Sequence, residues 1–182
     1  MSGAITVPGS RVLLRPPLVR DRREFLAAMC ASRRLHRGWS APPRTPRAYA
    51  AFLRRYRRPS HVGFLACRRE DGRIVGTFML MELIRGQFQG AYLGYYAAAA
   101  YAGRGYMTEA LRLVLRHAFT ALRLHRVEAN IQPANARSIA LVRRCGFRRE
   151  GLSPRYLKIA GRWRDHERWA ILADEWRASR TA

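Results

Sequence analysis

The chain has 182 residues, with 35 lysines and arginines against 12 acidic residues and a formal net charge of +23. This length suits one domain, and a content of 48% hydrophobic residues excludes an intrinsically disordered chain. No apolar run approaches the roughly 20 residues of a membrane-spanning helix, and residues 1–10 lack a secretory signal pattern, so we expect one cytoplasmic domain over residues 1–182.

The first half of the chain shows strand and helix patterns bounded by proline and glycine. In chain order, the pattern predicts a strand over 11–16, a helix from 21, a helix over 46–57, and strands over 62–69, 74–84 and 91–96. Asp21 and Thr45 are suitable helix caps. Asp71-Gly72 is a hairpin turn, so the strands around it are expected to be antiparallel.

The second half alternates strands with helices. The pattern predicts a helix over 108–122, a strand over 125–131, a helix over 135–145, and strands over 147–156 and 163–172. Asn135 is a suitable cap for the second of these helices, and Gly146 is expected to end it. The economical interpretation is one α/β domain with a mixed sheet.

Residues 102–107 form a glycine-rich turn between a strand and a helix. Gly103 and Gly105 allow the backbone to approach a ligand, and the helix that follows directs its unpaired amides into the turn, an arrangement that suits a pyrophosphate. A tight connection that needs glycine only for its backbone conformation is the alternative. A Walker loop and a dinucleotide-binding fingerprint are both excluded by the spacing.

Cys30, Cys67 and Cys145 are odd in number and far apart along the chain. This pattern fits neither a disulfide framework nor a metal site. We therefore expect three core thiols and no bound metal.

Several short motifs follow one another in a recognisable order. They are Gly94-Tyr-Tyr, Tyr101-Ala-Gly-Arg-Gly-Tyr-Met-Thr-Glu-Ala110, Val127-Glu-Ala-Asn, Asn135-Ala-Arg-Ser, Cys145-Gly-Phe and Glu150-Gly. Together they resemble the Gcn5-related N-acetyltransferase (GNAT) superfamily, and more narrowly its branch of ribosomal-protein alanine and serine N-acetyltransferases. The resemblance covers essentially the whole chain. It implies a predominantly antiparallel sheet with splayed fourth and fifth strands and helices on both faces.

The resemblance implies an acetyl-CoA-dependent N-acetyltransferase in which an amine attacks the thioester directly. The branch implies the N-terminal α-amine of a protein, of the ribosomal-protein type, as the acceptor. A small-molecule amine is an alternative acceptor, and a degenerate member that binds RNA or protein is a further alternative. The net charge favours association with the ribosome or its RNA, although an arginine-rich surface without a dedicated partner is equally compatible with it. We expect a monomer or a homodimer.

The resemblance also implies which residues bind acetyl-CoA. Main-chain amides hold the pyrophosphate at Gly103, Arg104, Gly105, Tyr106 and Met107. The fourth strand binds the pantetheine arm and the thioester oxygen through Leu93, Gly94 and Tyr95. Asn135 and Ser138 contact pantetheine and sulfur from the other side. Ala102 replaces the usual Gln or Arg, which removes one orienting contact with the phosphates.

Two catalytic roles are expected. Ser138 protonates the departing thiolate or only donates a hydrogen bond to it, and water is the other candidate acid, because Val142 occupies the position where many members carry an acid tyrosine. Glu128 is the first candidate base, since it shares a strand face with Asn130 and Gln132. If that face belongs to the core, Glu82 competes for the role, and an ion pair between Glu128 and an arginine is the alternative to catalysis.

Overall fold

Residues 7–179 are described by a computed structural model, so the ends of the predicted 1–182 domain lie outside the described residues. Within them, eight strands form one sheet in the order β1-β2-β3-β4-β5-β6-β8-β7. The strands are β1 (Val7–Pro8), β2 (Val12–Arg15), β3 (Val62–Arg68), β4 (Ile74–Ile84), β5 (Gly90–Ala97), β6 (Arg126–Ile131), β7 (Arg148–Ile159) and β8 (Arg162–Leu172). The helices are α1 (Arg22–Ala31), α2 (Arg33–His36), α3 (Pro46–Arg55), α4 (Tyr106–Thr120), α5 (Ala136–Arg144) and α6 (Ala173–Ala178).

Helices cover both faces of the sheet, because successive residues of the central strands are buried on opposite sides. Phe64 and Phe78 belong to a core that includes α4 and α5. Their chain neighbours Leu65 and Met79 belong to a second core with residues of α1 and α3. The predicted mixed fold is therefore confirmed.

The pairing of β5 with β6 is the one parallel pair in the described sheet, and it is short. Only three residue pairs join the two strands, and Tyr92–Glu128 is the last of them. Beyond this pair, β5 continues along β4, whereas β6 continues along β8 as far as Ile131. β5 and β6 are the fourth and fifth of the predicted strands, because the two-residue β1 was not predicted. They splay apart as predicted, and a gap opens in the sheet.

Two of the sequence expectations, for Cys30 and Asp21, are wrong, and the expected cap at Thr45 is confirmed. Cys67 and Cys145 are buried, but Cys30 is exposed. Asp21 precedes α1 without capping it through its side chain, because its carboxylate binds Arg15 at 2.7 and 2.8 Å. Thr45 caps α3 as predicted, since its hydroxyl accepts the amide of Ala48 at 3.2 Å.

Across residues 7–179, no helix has the length and apolar character needed to cross a membrane.

Candidate active site

An open cleft of about 2070 Å³ occupies the gap between β5 and β6. Residues 92–97 of β5 line one side, and residues 129–132 with the start of α5 line the other. The cleft continues to the 102–107 turn in one direction and to the end of α3 in another. This volume exceeds the roughly 300–1,000 Å³ of a typical ligand pocket, so the cleft has room for two reactants.

Of the turn at residues 102–107, Ala102, Gly103, Gly105 and Met107 line this cleft, whereas Arg104 and Tyr106 do not. Gly103 and Gly105 have φ angles of +77° and +81°, a conformation that favours glycine. The amides of residues 103–107 have no hydrogen-bond acceptor within the described part of the chain. A Cβ built on Gly103 meets nothing within 4 Å, so the space beside the turn is open. Free amides at the start of the 15-residue helix α4 form an arrangement that binds anions.

Arg11, which the sequence analysis did not single out, lies against this turn. Its guanidinium donates to the carbonyl of Arg104 at 3.3 Å and lies 5.0 Å from the ring centre of Tyr106. Glu109 holds Arg11 there through its carboxylate, at 3.0 Å from the Arg11 Nε and 2.7 Å from the Arg11 amide. Burial acts to raise the pKa of Glu109, but these bonds and one from Val12 outweigh it and lower that pKa. More than 90 residues separate Arg11 from the turn, so no local sequence pattern reports the contact.

The predicted pantetheine-binding residues lie along the gap. Leu93, Gly94 and Tyr95 follow the last residue pair with β6 and line the cleft. A Cβ on Gly94 would lie 3.0 Å from the Met81 Cε and 3.1 Å from the Met79 Cε, so a larger residue there would require both methionine side chains to shift.

Asn135, Ser138 and Tyr95 meet at the opposite wall. The Asn135 Oδ1 accepts the Ser138 amide at 3.3 Å, so Asn135 caps α5 as predicted and also lines the cleft. The Tyr95 hydroxyl donates to the Ser138 carbonyl at 3.4 Å and thereby bridges the gap. Burial raises the pKa of Tyr95 to about 12, so the phenol stays protonated at neutral pH. Val142 is fully buried in the core, which leaves Ser138 or water as the candidate acid.

Glu128 lies on the predicted face, but an arginine binds its carboxylate. Asn130 and Gln132 line the cleft, so this face of β6 does belong to the site. Glu128 itself is absent from the lining, and its Oε1 accepts a hydrogen bond from the Arg126 Nε at 2.7 Å. Arg126 also binds Glu150. The structure therefore contains the ion pair that the sequence left as the alternative to a base.

Glu82, the competing carboxylate, lines the cleft with 64% of its side chain exposed. Its φ of +49° occurs where the register of β4 against β5 shifts, between Met81 and Ile84. The nearest charged or titratable partner is His61, whose Nε2 lies 3.5 Å from the Glu82 Oε1 and whose Nδ1 lies 2.9 Å from the Ser60 Oγ. Burial lowers the pKa of His61 although Glu82 acts to raise it, so the imidazole is neutral at pH 7. Within the described residues, Glu82 has no arginine ion pair.

Comparisons with known proteins agree with this geometry. The profile of the family described as acetyltransferase (GNAT) domain matches residues 11–148. A probable N-acetyltransferase of Bacillus subtilis, YjcK, is 45% identical over 102 residues, which cover 56% of each chain. The ribosomal protein uS5-alanine N-acetyltransferase of Escherichia coli is 37% identical over 111 residues, 61% of this chain and 57% of that one. The matched segment thus spans little more than half the length of these relatives.

Among solved structures, Mycobacterium smegmatis RimJ in complex with CoA-disulfide superimposes with a TM-score of 0.82. The two proteins are 30% identical, and the match covers 97% of this chain and 93% of RimJ. The fold described above therefore has a counterpart in a protein whose structure was solved with CoA-disulfide.

Proposed function

Because this chain belongs to the GNAT family of acetyltransferases, we propose that it transfers the acetyl group of acetyl-CoA to the N-terminal α-amine of a protein. One observation carries the proposal: the free amides of the 102–107 turn and the gap between β5 and β6 open into the same cleft. The similarity to an enzyme named for the alanine of ribosomal protein uS5 supports a protein N-terminus as the acceptor.

The donor half of the cleft comprises the 102–107 turn, residues 93–95 of β5 and the start of α5. Here the amides of residues 103–107 bind the diphosphate, and Arg11 adds a positive charge beside it. The edge of β5 that faces the gap has no strand partner after Tyr92, so its backbone groups are free to bind the pantetheine arm as a strand would. The coenzyme supplies an acetyl thioester, and a β5 amide directed at its oxygen stabilises the charge that develops there.

The acceptor half lies toward the end of α3 and contains Glu82 and His61. An α-amine has a reference pKa of about 7.7–8.0, against about 10.4 for lysine, so a single carboxylate suffices to accept its proton. We assign this role to Glu82, directly or through one water, because the carboxylate of Glu128 is bound to Arg126. The amine nitrogen forms the new bond to the acetyl carbon and its proton passes to Glu82. The carbon–sulfur bond breaks, and the thiolate takes a proton from water, directly or through the Ser138 hydroxyl, which water reprotonates.

Release of free thiol from acetyl-CoA tests this proposal. We expect turnover with peptides that begin with Ala or Ser, and much slower turnover with spermidine, because the positive field of the protein opposes a polycation. Turnover with small amines and none with any peptide would contradict the assigned acceptor. No turnover with any amine, together with no thermal stabilisation by millimolar acetyl-CoA, would support the degenerate binding protein instead.

The net charge supports a second part of the proposal, which concerns where the enzyme binds its protein substrate. A charge of +23 favours electrostatic docking on ribosomal RNA, which would bring the cleft near newly made ribosomal proteins. Co-sedimentation with ribosomes should then be strong at low salt and weak at high salt. Activity without any salt-sensitive co-sedimentation would leave the chemistry intact and reject the docking.

A further inference from the structure

We propose that the acceptor half selects protein N-termini whose second to fifth residues carry negative charge. This inference rests on the proposed function and names its substrate class. Its basis is the distribution of charge around Glu82, which the catalytic role does not explain.

Carboxylates are scarce on the walls of the cleft. Within the described residues, only Glu82 and Glu109 line it, and Glu109 is bound by Arg11 at the donor end. Glu82 is therefore the one lining carboxylate available to an incoming ammonium group. Its exposed position at the irregular end of β4 leaves space for that group to approach.

Two arginines of the cleft wall lie near the histidine that contacts this carboxylate. Arg55 ends α3 and Arg58 follows it, and both line the cleft with exposed side chains. Both guanidiniums lie close enough to His61 to lower its pKa, and His61 lies 3.5 Å from Glu82. Neither arginine forms an ion pair with a carboxylate in the part of the chain that the structure describes.

The donor does not require Arg55 and Arg58. Its phosphates have basic partners at the other end of the cleft, where Arg11, Arg112, Arg137 and Arg144 line the wall. An acceptor with one ammonium group and several carboxylates matches one carboxylate without an arginine partner beside two guanidiniums without a carboxylate partner. A peptide with a free α-amine followed by aspartate or glutamate has this chemistry, and a polyamine has the opposite charge pattern.

Matched peptides test the inference. Ala- and Ser-initiated peptides carry either three glutamates or three lysines at positions 2–5 and are otherwise identical. We expect kcat/KM to be at least about tenfold higher for the acidic peptides at low salt, and the ratio to shrink at 0.5 M salt, where the charges are screened. Equal kcat/KM for the two series would overturn the inference and leave the proposed function standing. Failure of every peptide while a small amine reacts would overturn both.

A pair of double variants locates the preference. Arg55→Glu with Arg58→Glu should abolish or reverse the ratio between acidic and basic peptides. Arg54→Glu with Arg57→Glu changes the same charge on the same segment, but these arginines do not line the cleft, so the ratio should persist. An equal change in both double variants would show a general field effect and overturn the assigned site. The KM for acetyl-CoA and the melting temperature report whether each variant remains folded. If a variant does not fold, the ratio of kcat/KM between acidic and basic peptides with the wild-type enzyme decides whether the inference holds.

Discussion

At the scale of single residues, the chemistry of the site depends on which carboxylates already form ion pairs with arginine. The chain is so rich in arginine that most of its described carboxylates lie in ion pairs, Glu128 among them. Because Arg126 binds its carboxylate and it does not line the cleft, Glu128 is not placed to accept the proton of the acceptor amine. Within the described residues, Glu82 has no arginine partner, and its one ion-pair contact is with the neutral imidazole of His61.

Glu82→Gln should therefore lower kcat/KM by about 100-fold near pH 7, the size expected when a general base is lost. The deficit should shrink above pH 8, because most of the acceptor amine is then already neutral. Rates measured from pH 6 to 9 with one Ser-initiated peptide check this prediction.

Glu128→Gln is the matched control, with the same change of charge two strands away in the sheet. It should keep kcat/KM within a few-fold of wild type and cost about 1 kcal/mol of stability, because Arg126 loses one of its two carboxylates. A large, pH-dependent rate loss in Glu128→Gln with a normal Glu82→Gln enzyme would restore Glu128 as the base.

Arg11→Ala should raise the KM for acetyl-CoA about tenfold, since it removes a guanidinium that lies beside the phosphate-binding turn. The KM for S-acetylpantetheine, which lacks the diphosphate, should not change. Arg69→Ala is the comparison variant, because Arg69 holds the same segment through the Gly9 carbonyl at 3.0 Å. Equal effects of both substitutions on both donors would show that Arg11 acts only through the fold.

At the scale of elements, the glycine turn determines both the start of α4 and the shape of the donor half. Gly105 is the residue before α4, and a Cβ at this position would lie 3.1 Å from the Arg11 Nη2. The same glycine therefore supplies a left-handed backbone conformation and space for an arginine at the turn.

Gly105→Ala should cost about 1–2 kcal/mol of stability and also raise the KM for acetyl-CoA severalfold. Gly161→Ala carries the same backbone strain, with φ of +80° against +81°, and its Cβ would meet nothing within 4 Å. Its stability loss should be similar and its KM unchanged. Denaturant unfolding and steady-state kinetics separate the two effects. If Gly161→Ala raised the KM for acetyl-CoA equally, backbone strain, and not the position of Gly105 at the phosphate-binding turn, would explain the higher KM.

Local pattern was enough to predict much of the fold. The 102–107 turn, the cap at Asn135 and the long strands all carry signals within a few residues, and the structure contains them. The placement of β8 between β6 and β7 depends on long-range pairing, and the short helices α2 and α6 have too few residues to show a period. The same limit explains why the contact of Arg11 with the turn escaped prediction.

At the scale of the whole molecule, two cores on opposite faces hold the sheet while leaving the gap open. Buried histidines add a dependence on pH, because burial lowers the pKa of His36, His61 and His117 below the ordinary value of 6.5. The unfolded chain then binds protons that the folded chain does not. Stability is full above about pH 6.5 and falls as the pH drops below it.

The free energy of unfolding should accordingly be nearly constant from pH 8 to 7 and decline below about pH 6.5, by up to about 1.4 kcal/mol per pH unit for each of these histidines. His117→Leu should make the decline shallower, since His117 lies in the core with its ring 5.1 Å from that of Phe64. Urea titrations at pH 5.5 and 7.5 measure this difference. Equal stability at the two pH values would contradict it.

The most direct test of the account is the crystal structure of this protein with coenzyme A. We predict the diphosphate oxygens within hydrogen-bond distance of the amides of residues 103–107, and the thiol between residues 93–95 of β5 and residues 129–131 of β6. A coenzyme bound elsewhere, with these amides facing only water and the gap empty, would contradict the proposed donor site and with it the assigned chemistry.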